Sequence, residues 1–153
     1  MMIVLDANIL IRAVLGKRVG EILSCYAARG VRFYAPDEAF ADAAEHLPGP
    51  LEKRGKTSTD AADALLYLCT MVECVDRESY ALFEKEAKER LGGRDEDDWP
   101  IAATALALSC SIWTEDKDFF GVGIPVWKTN TVEILLRSAA EPSTADENLQ
   151  DAP

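Results

Sequence analysis

Residues 1–16 read MMIVLDANILIRAVLG, an unbroken apolar run that stops on a single carboxylate, Asp6. A short stretch rich in Ile, Val and Leu, halted by Asp-Ala-Asn, has the composition of a strand buried on both faces, with a turn into a helix behind it. Asp6 then stands at the carboxyl end of a central parallel strand, the edge at which open α/β sheets bind their ligands. A second role is open to the same residues. Asp is a preferred helix N-cap and Asn8 a preferred turn residue, so the pair also fits a purely structural start to the helix.

The pattern of strand followed by carboxylate recurs in residues 92–123, GGRDEDDWPIAATALALSCSIWTEDKDFFGVG. Asp95, Glu96, Asp97 and Asp98 crowd together just ahead of Pro100, which belongs in the first turn of a helix that buries Ile101, Ala102, Ala105, Leu106 and Leu108. Asp98 sits at that helix's N-terminus, either as a plain cap or as a metal ligand. The short strand Ser111–Thr114 again runs into acids, Glu115, Asp116 and Asp118.

Between these stretches, helical apolar spacing covers Asn8–Gly16 and Glu21–Ala28, a strand covers Val31–Ala35, and a helix begins at Pro36 and Asp37. In that helix Phe40, Ala43, Ala44 and Leu47 form the packing face. Glu38, Asp42 and Glu45, spaced i, i+4, i+7, form a separate acidic stripe, whose repulsion costs a few tenths of a kcal/mol per pair unless a cation is near. A solvated acidic face at a helix N-terminus is the plainer account of it. LPGPLEKRGKTS, residues 47–58, reads as a loop carrying the densest basic cluster, Lys53, Arg54 and Lys56. Ser58 or Thr59 caps a helix through Ala62, Leu65, Leu66, Leu68 and Cys69, and Met71–Val75 forms a strand. Glu78–Leu91 is an amphipathic helix that presents Tyr80, Leu82, Phe83, Ala87 and Leu91 and ends at Gly92 and Gly93. Ile124–Trp127 is a last strand and Thr131–Ser138 a last helix with Val132, Ile134, Leu135 and Leu136.

With 153 residues, 48% of them hydrophobic, the chain suits one domain over residues 1–139. Residues 140–153 form an acidic tail whose composition predicts disorder; its Glu141, Asp146, Glu147 and Asp151 supply four of the eleven excess negative charges. No apolar run reaches bilayer length and no charged region precedes the first apolar stretch, so the expected setting is cytoplasmic with no membrane partner. Cys25, Cys69, Cys74 and Cys110 form no CxxC pair and are expected to be buried free thiols. A formal charge of −11 repels polyanions at long range, which argues against a nucleic-acid partner unless metal ions neutralise the clustered acids.

Alternating strands and helices predict a three-layer α/β/α sandwich around a central parallel sheet with right-handed crossovers. In a parallel sheet the acid-bearing strand ends share one edge. Asp6, Asp42, Asp98 and Asp116 can converge there, and crowded carboxylates are costly unless a cation joins them; oxygen donors select Mg²⁺ or Mn²⁺.

VLDANILIRA near the start, YAPDEAFADAAEH in the middle and DDWPIAATALALSCSIWTEDKDF near the end together resemble the PIN domain, a family that includes the VapC-type toxins of bacterial and archaeal toxin-antitoxin systems. The resemblance spans residues 2–137. It implies a divalent-metal-dependent endoribonuclease, the toxin of a type II pair, with an RNA substrate and an antitoxin protein as partner. Carried over by residue, the first acid is Asp6, the third Asp98 and the fourth Asp116, with Asp118 as an auxiliary ligand and Asn8 and Thr114 in support. The second acid is usually Glu; the register here puts Asp42 at that position and Glu45 one turn on. In this reading one or two ions, about 4 Å apart if two, acidify a water and offset charge on the scissile phosphate, and the single histidine, His46, is not needed as a base. Arg12, Lys117, Lys53, Arg54 and Lys56 are the bases available to hold the RNA backbone.

Two other readings remain. A non-catalytic member of the same fold would serve as an assembly or regulatory module, and the acidic net charge and the Asp at the second position both suit it. A phospho-acceptor receiver-like domain also gathers Asp at strand ends, but Asp6 lacks an acidic neighbour and Lys117 lies between two acids. A homodimer is also open, and would be signalled by Trp or Phe exposed on the early helices.

Overall fold

The computed structural model describes residues 1–140; of the predicted tail 140–153, Ala140 is the last residue of a helix and residues 141–153 lie outside the described residues. In strand β1 (Met2–Leu5), Ile3, Val4 and Leu5 are all fully buried. Successive side chains of a strand point to opposite faces, so the sheet is covered on both sides at this strand. β1 pairs in parallel with β2 (Arg32–Pro36) on one side and β4 (Ser111–Trp113) on the other. β3 (Val72–Val75) extends the sheet beyond β2, and β5 (Val126–Trp127) extends it beyond β4. The result is the expected α/β sandwich on an all-parallel five-stranded sheet, ordered β3-β2-β1-β4-β5.

Helices α1 (Ala7–Leu15) and α2 (Arg18–Ala27) join β1 to β2; α3 (Asp37–His46), α4 (Pro48–Lys53) and α5 (Ser58–Leu68) join β2 to β3. The return from β3 to β4 uses α6 (Arg77–Tyr80), α7 (Glu84–Leu91) and α8 (Trp99–Leu108), and α9 (Val132–Ala140) follows β5. α8 lies against β1, β2 and β4 and is flanked by α6 and α7; α1 packs on α2, α3 and α5. Every residue of α8 from Trp99 to Ala105 is buried, as a helix apolar on all sides requires. Trp113, fully buried, meets Phe33 with ring centroids 6.3 Å apart.

The strand order reverses between β1 and β4. The chain builds outward through β2 and β3, then returns to the far side of β1 for β4 and β5. Such a switch point opens a crevice beyond the carboxyl ends of the two strands that flank it.

Several local expectations are corrected. Residues 48–53 are helix α4, since Pro48 is tolerated at a helix start and buried Leu51 anchors the turn. Thr57, rather than Ser58 or Thr59, caps α5, in a reciprocal capping box with Asp60. The expected helix 78–91 is interrupted by a 3₁₀ turn at Ala81–Phe83; the altered register leaves Leu82 at 93% exposure instead of packed. Ala39 replaces Ala44 in the α3 packing face, and Ala62, Leu66 and Ile134 lie outside the core. The cysteines are free but not buried: Cys25, Cys69 and Cys74 are exposed and Cys110 is half-buried. Trp99 and Trp113 are core residues and Trp127 is half-buried.

Candidate functional site

Leu5 pairs with Trp113, so the next residues, Asp6 and Thr114, leave the sheet side by side at the switch point. The Thr114 hydroxyl donates to Asp6 Oδ2 at 2.6 Å and accepts the Asp116 backbone N–H at 2.9 Å. Asn8 Nδ2 donates to the same Asp6 oxygen at 3.0 Å and to Thr114 Oγ1 at 3.3 Å. The other Asp6 oxygen accepts the Ala7 N–H at 2.7 Å, the N-cap bond of α1. Asp6 therefore caps the helix with one oxygen and turns the other to the strand ends. Burial, opposed by the Thr114 and Ala7 bonds and reinforced by the charges of Asp116 and Asp42, leaves the Asp6 carboxyl above its usual range.

Asp98 differs. It occupies the N-cap position of α8, yet its side chain bonds no helix N–H, so a plain cap does not account for it. Its Oδ2 is buried with no hydrogen-bond partner. Burial first, then the charges of Asp6, Asp116, Asp95 and Asp118, push its pKa to about 7. Asp98, Asp116 and Asp118 each present a carboxylate oxygen, the three lying within 4.8 Å of one another. A buried carboxylate oxygen left unpaired beside two like charges is unfavourable in itself, and hard oxygen donors so arranged suit a divalent cation such as Mg²⁺ or Mn²⁺.

The acidic stripe of α3 faces this cluster across a cavity of about 580 Å³ whose wall includes Asp6, Asp98, Glu38, Asp42 and Glu45. Asp42 and Glu45 are both exposed. Asp42 is the α3 acid whose charge reaches Asp6, and its carboxylate meets His46 Nδ1 at 3.1 Å, with the His46 ring also at 2.8 Å from the Asp42 carbonyl. Asp42, Glu45 and His46 thus make a separate exposed group at the far wall.

The bases named from sequence are dispersed. Lys117 is exposed in a 3₁₀ turn (Lys117–Phe119) between Asp116 and Asp118. Arg54 Nη1 is occupied by the Leu15 carbonyl, tying the end of α4 to α1, and Lys53 is exposed at that same end. Arg12 lies one turn beyond Asn8 and lines a different hollow.

Two supports escaped the sequence reading. Arg94 Nη1 donates to the carbonyls of Asp118 at 2.8 Å and Phe120 at 2.5 Å, strapping down the turn that carries Asp116 and Asp118. Glu115 donates its N–H to Asn8 Oδ1 at 3.2 Å and accepts the Thr129 N–H at 2.8 Å, linking β4, α1 and the segment after β5. A lone Arg beside an acidic run and an acid among acids carry no pattern that separates them from solvated surface.

Residues 4–137 match the PIN domain, and the chain belongs to the PIN-domain family, whose members are generally nucleases. Two solved structures share the fold. One is VapBC2 from Rickettsia felis bound to a DNA fragment from their promoter: 16% identity, 84% of this chain and 98% of that chain covered, TM-score 0.62. The other is VapBC-1 from nontypeable Haemophilus influenzae: 18% identity, 85% and 99% covered, TM-score 0.59. No curated protein sequence matches the chain.

Proposed function

We propose that this protein is a divalent-metal-dependent endoribonuclease and the toxin of a type II toxin-antitoxin pair. The observation that carries the reading is the orphaned, buried Asp98 Oδ2 beside Asp116 and Asp118, at the switch point of a PIN-domain sheet. Family membership supports hydrolysis of a nucleic-acid phosphodiester, and the two VapBC structures support an antitoxin partner. Asp98, Asp116 and Asp118, with Asp6 behind them, would hold Mg²⁺ or Mn²⁺. Such an ion, when bound, supplies Lewis-acid stabilisation of phosphate charge and acidifies water.

The chain's own groups do the rest. Thr114 and Asn8 fix the Asp6 carboxylate, and the Thr114 hydroxyl also sets where Asp116 begins its turn. Asp42, or Glu45 in its place, lines the cavity from α3 and would add a carboxylate to the donor set of the metal. No His or Cys nucleophile is called for, and the buried flanks of α8 and β1 keep bulk water from behind the acids.

Cleavage of a pool of labelled single-stranded and structured RNAs, with Mn²⁺, Mg²⁺ or chelator, tests the proposal. The parent cuts only with metal, and Asp98→Asn loses about a hundredfold or more in rate. Absence of cutting by a folded, metal-loaded parent would overturn it and favour the non-catalytic module.

A further inference from the structure

Sixteen basic residues against twenty-seven acids leave few places where positive charge gathers. One is the junction of α1 and α2. There Arg12, Lys17 and Arg18 line a hollow of about 340 Å³ together with Thr129. Lys128 adjoins it. Burial tends to raise the Glu115 carboxyl, but the two Thr129 hydrogen bonds, then the charges of Arg12 and Lys128, outweigh that and hold it below its usual range.

This charge is largely uncommitted. Arg32, Arg77, Lys88, Arg90 and Arg137 are all ion-paired, and Arg54 and Arg94 donate to carbonyls. Arg18 makes a long 3.8 Å pair with Glu133. Among the described residues the side chains of Arg12 and Lys17 enter no ion pair and no hydrogen bond, and both are exposed.

The hollow is also joined to the acidic site. Arg12 is four residues beyond Asn8 on α1, one turn or about 6 Å along the axis and on the same face. Thr129 is linked to Glu115, Glu115 to Asn8, and Asn8 to Asp6, by bonds of 2.8, 3.2 and 3.0 Å. A polyanion with one phosphate in the cavity carries its neighbouring phosphates onto the adjoining surface, and on this flank that surface is basic.

We infer that the α1–α2 hollow is a phosphate subsite, holding the backbone of the RNA to one side of the phosphate that enters the acidic cavity; the inference rests on the nuclease reading. Arg12 offers the planar fork suited to a phosphate, and Lys17 a mobile point charge. Contacts of this kind position a strand without reading its sequence.

The test measures binding of a fluorescein-labelled, mixed-sequence single-stranded RNA with Mg²⁺ across a range of salt, using Asp98→Asn protein so that binding is read without cutting. Arg12→Gln/Lys17→Gln in that background is compared with Arg29→Gln/Lys85→Gln, which removes the same charge elsewhere. The hollow pair should weaken binding about tenfold and flatten the log–log salt slope by about 0.7 to 1 per lost contact, with the remote pair leaving the slope in place. Lys17→Glu alone, at an exposed position, should weaken binding further than Lys17→Gln. Equal effects of the two pairs, or an unchanged slope in the hollow pair, would overturn the inference while parent cleavage left the nuclease reading standing. If the Asp98→Asn protein binds no RNA and the parent cuts none, both fall together.

Discussion

Thr114 has one hydroxyl and uses it three times, giving its proton to Asp6 and accepting from the Asp116 amide and, at 3.3 Å, from Asn8 Nδ2. Thr114→Val keeps the shape and removes all three bonds, leaving the Asp6 oxygen with only Asn8 as donor and the Asp116 N–H without its partner. The expected cost is about 1–3 kcal/mol of stability, together with a 10- to 100-fold loss of Mn²⁺ affinity. Denaturant unfolding and calorimetric titration measure the two, and a variant that loses stability but binds Mn²⁺ as the parent does would show that Thr114 only holds the strand ends. At this scale the sequence was informative where chemistry is tied to chain position. Asp6, Thr114 and Asp116 follow strands, and strand ends in a parallel sheet must share an edge. It was uninformative for long side chains. Arg54 reaches a carbonyl on α1 and Arg12 turns to the α1–α2 junction, because a basic head group at the end of a long flexible side chain is placed by its neighbours, not by its position in the chain.

Elements were legible in proportion to the simplicity of their burial. Ile3–Leu5 of β1 and Trp99–Ala105 of α8 are covered on all sides, so an unbroken apolar run sufficed to find them. α4 carries two prolines, Pro48 and Pro50, in its own first turn, and the 78–91 region followed an amphipathic pattern that the 3₁₀ turn at Ala81–Phe83 interrupts. The α5 cap is a third case, since Thr57, Ser58 and Thr59 are near-equivalent caps in sequence, and the reciprocal bonds between Thr57 and Asp60 choose among them. That choice is testable. Thr57→Ala should cost about 1 kcal/mol, while the serine and threonine that follow change stability by much less, because they have no capping bond to lose. RNA cleavage should be unaffected, since α5 contributes nothing to the cavity wall. Thermal unfolding of the three alanine variants decides it, and equal losses at all three positions would mean that the cap shifts along the chain.

For the whole molecule, alternation revealed a parallel sheet but not its strand order, because pairing between β1 and β4 brings together residues more than a hundred apart through contacts that leave no local pattern. That one pairing, which carries Asp6 to Thr114, sets the switch point and hence the site. It also loads a chain of charge −11 with a crowded cluster, and the consequence appears in stability. Asp98, pushed to about 7 from 3.8, keeps its proton in the folded state at pH values where the unfolded chain has released it. Stability in chelator therefore falls as pH rises through this window, and the raised Asp6 acts in the same direction. The lowered carboxyls of Asp60, Glu84 and Glu115 act oppositely, but their contribution is lost only as pH drops below about 4.5, so between pH 5 and 7 the raised acids set the sign. The expected fall is about 1–2 kcal/mol, allowing for the solvent around a half-buried group. His46, raised by the Asp42 carbonyl and then its charge, also loses stabilisation as pH climbs above 6.5, so the decisive comparison is with Asp98→Asn. In chelator that variant should show a shallower slope and match or exceed the parent's stability at pH 7.5. Saturating Mn²⁺ should raise the parent well above it, because a ligand that binds only the folded state stabilises it in proportion to the logarithm of its concentration. Urea unfolding of both proteins at pH 5, 6 and 7.5, with and without Mn²⁺, reads the crossing directly. If the two proteins have parallel pH profiles and gain equally from Mn²⁺, Asp98 is not the residue at which charge repulsion is stored and metal relieves it.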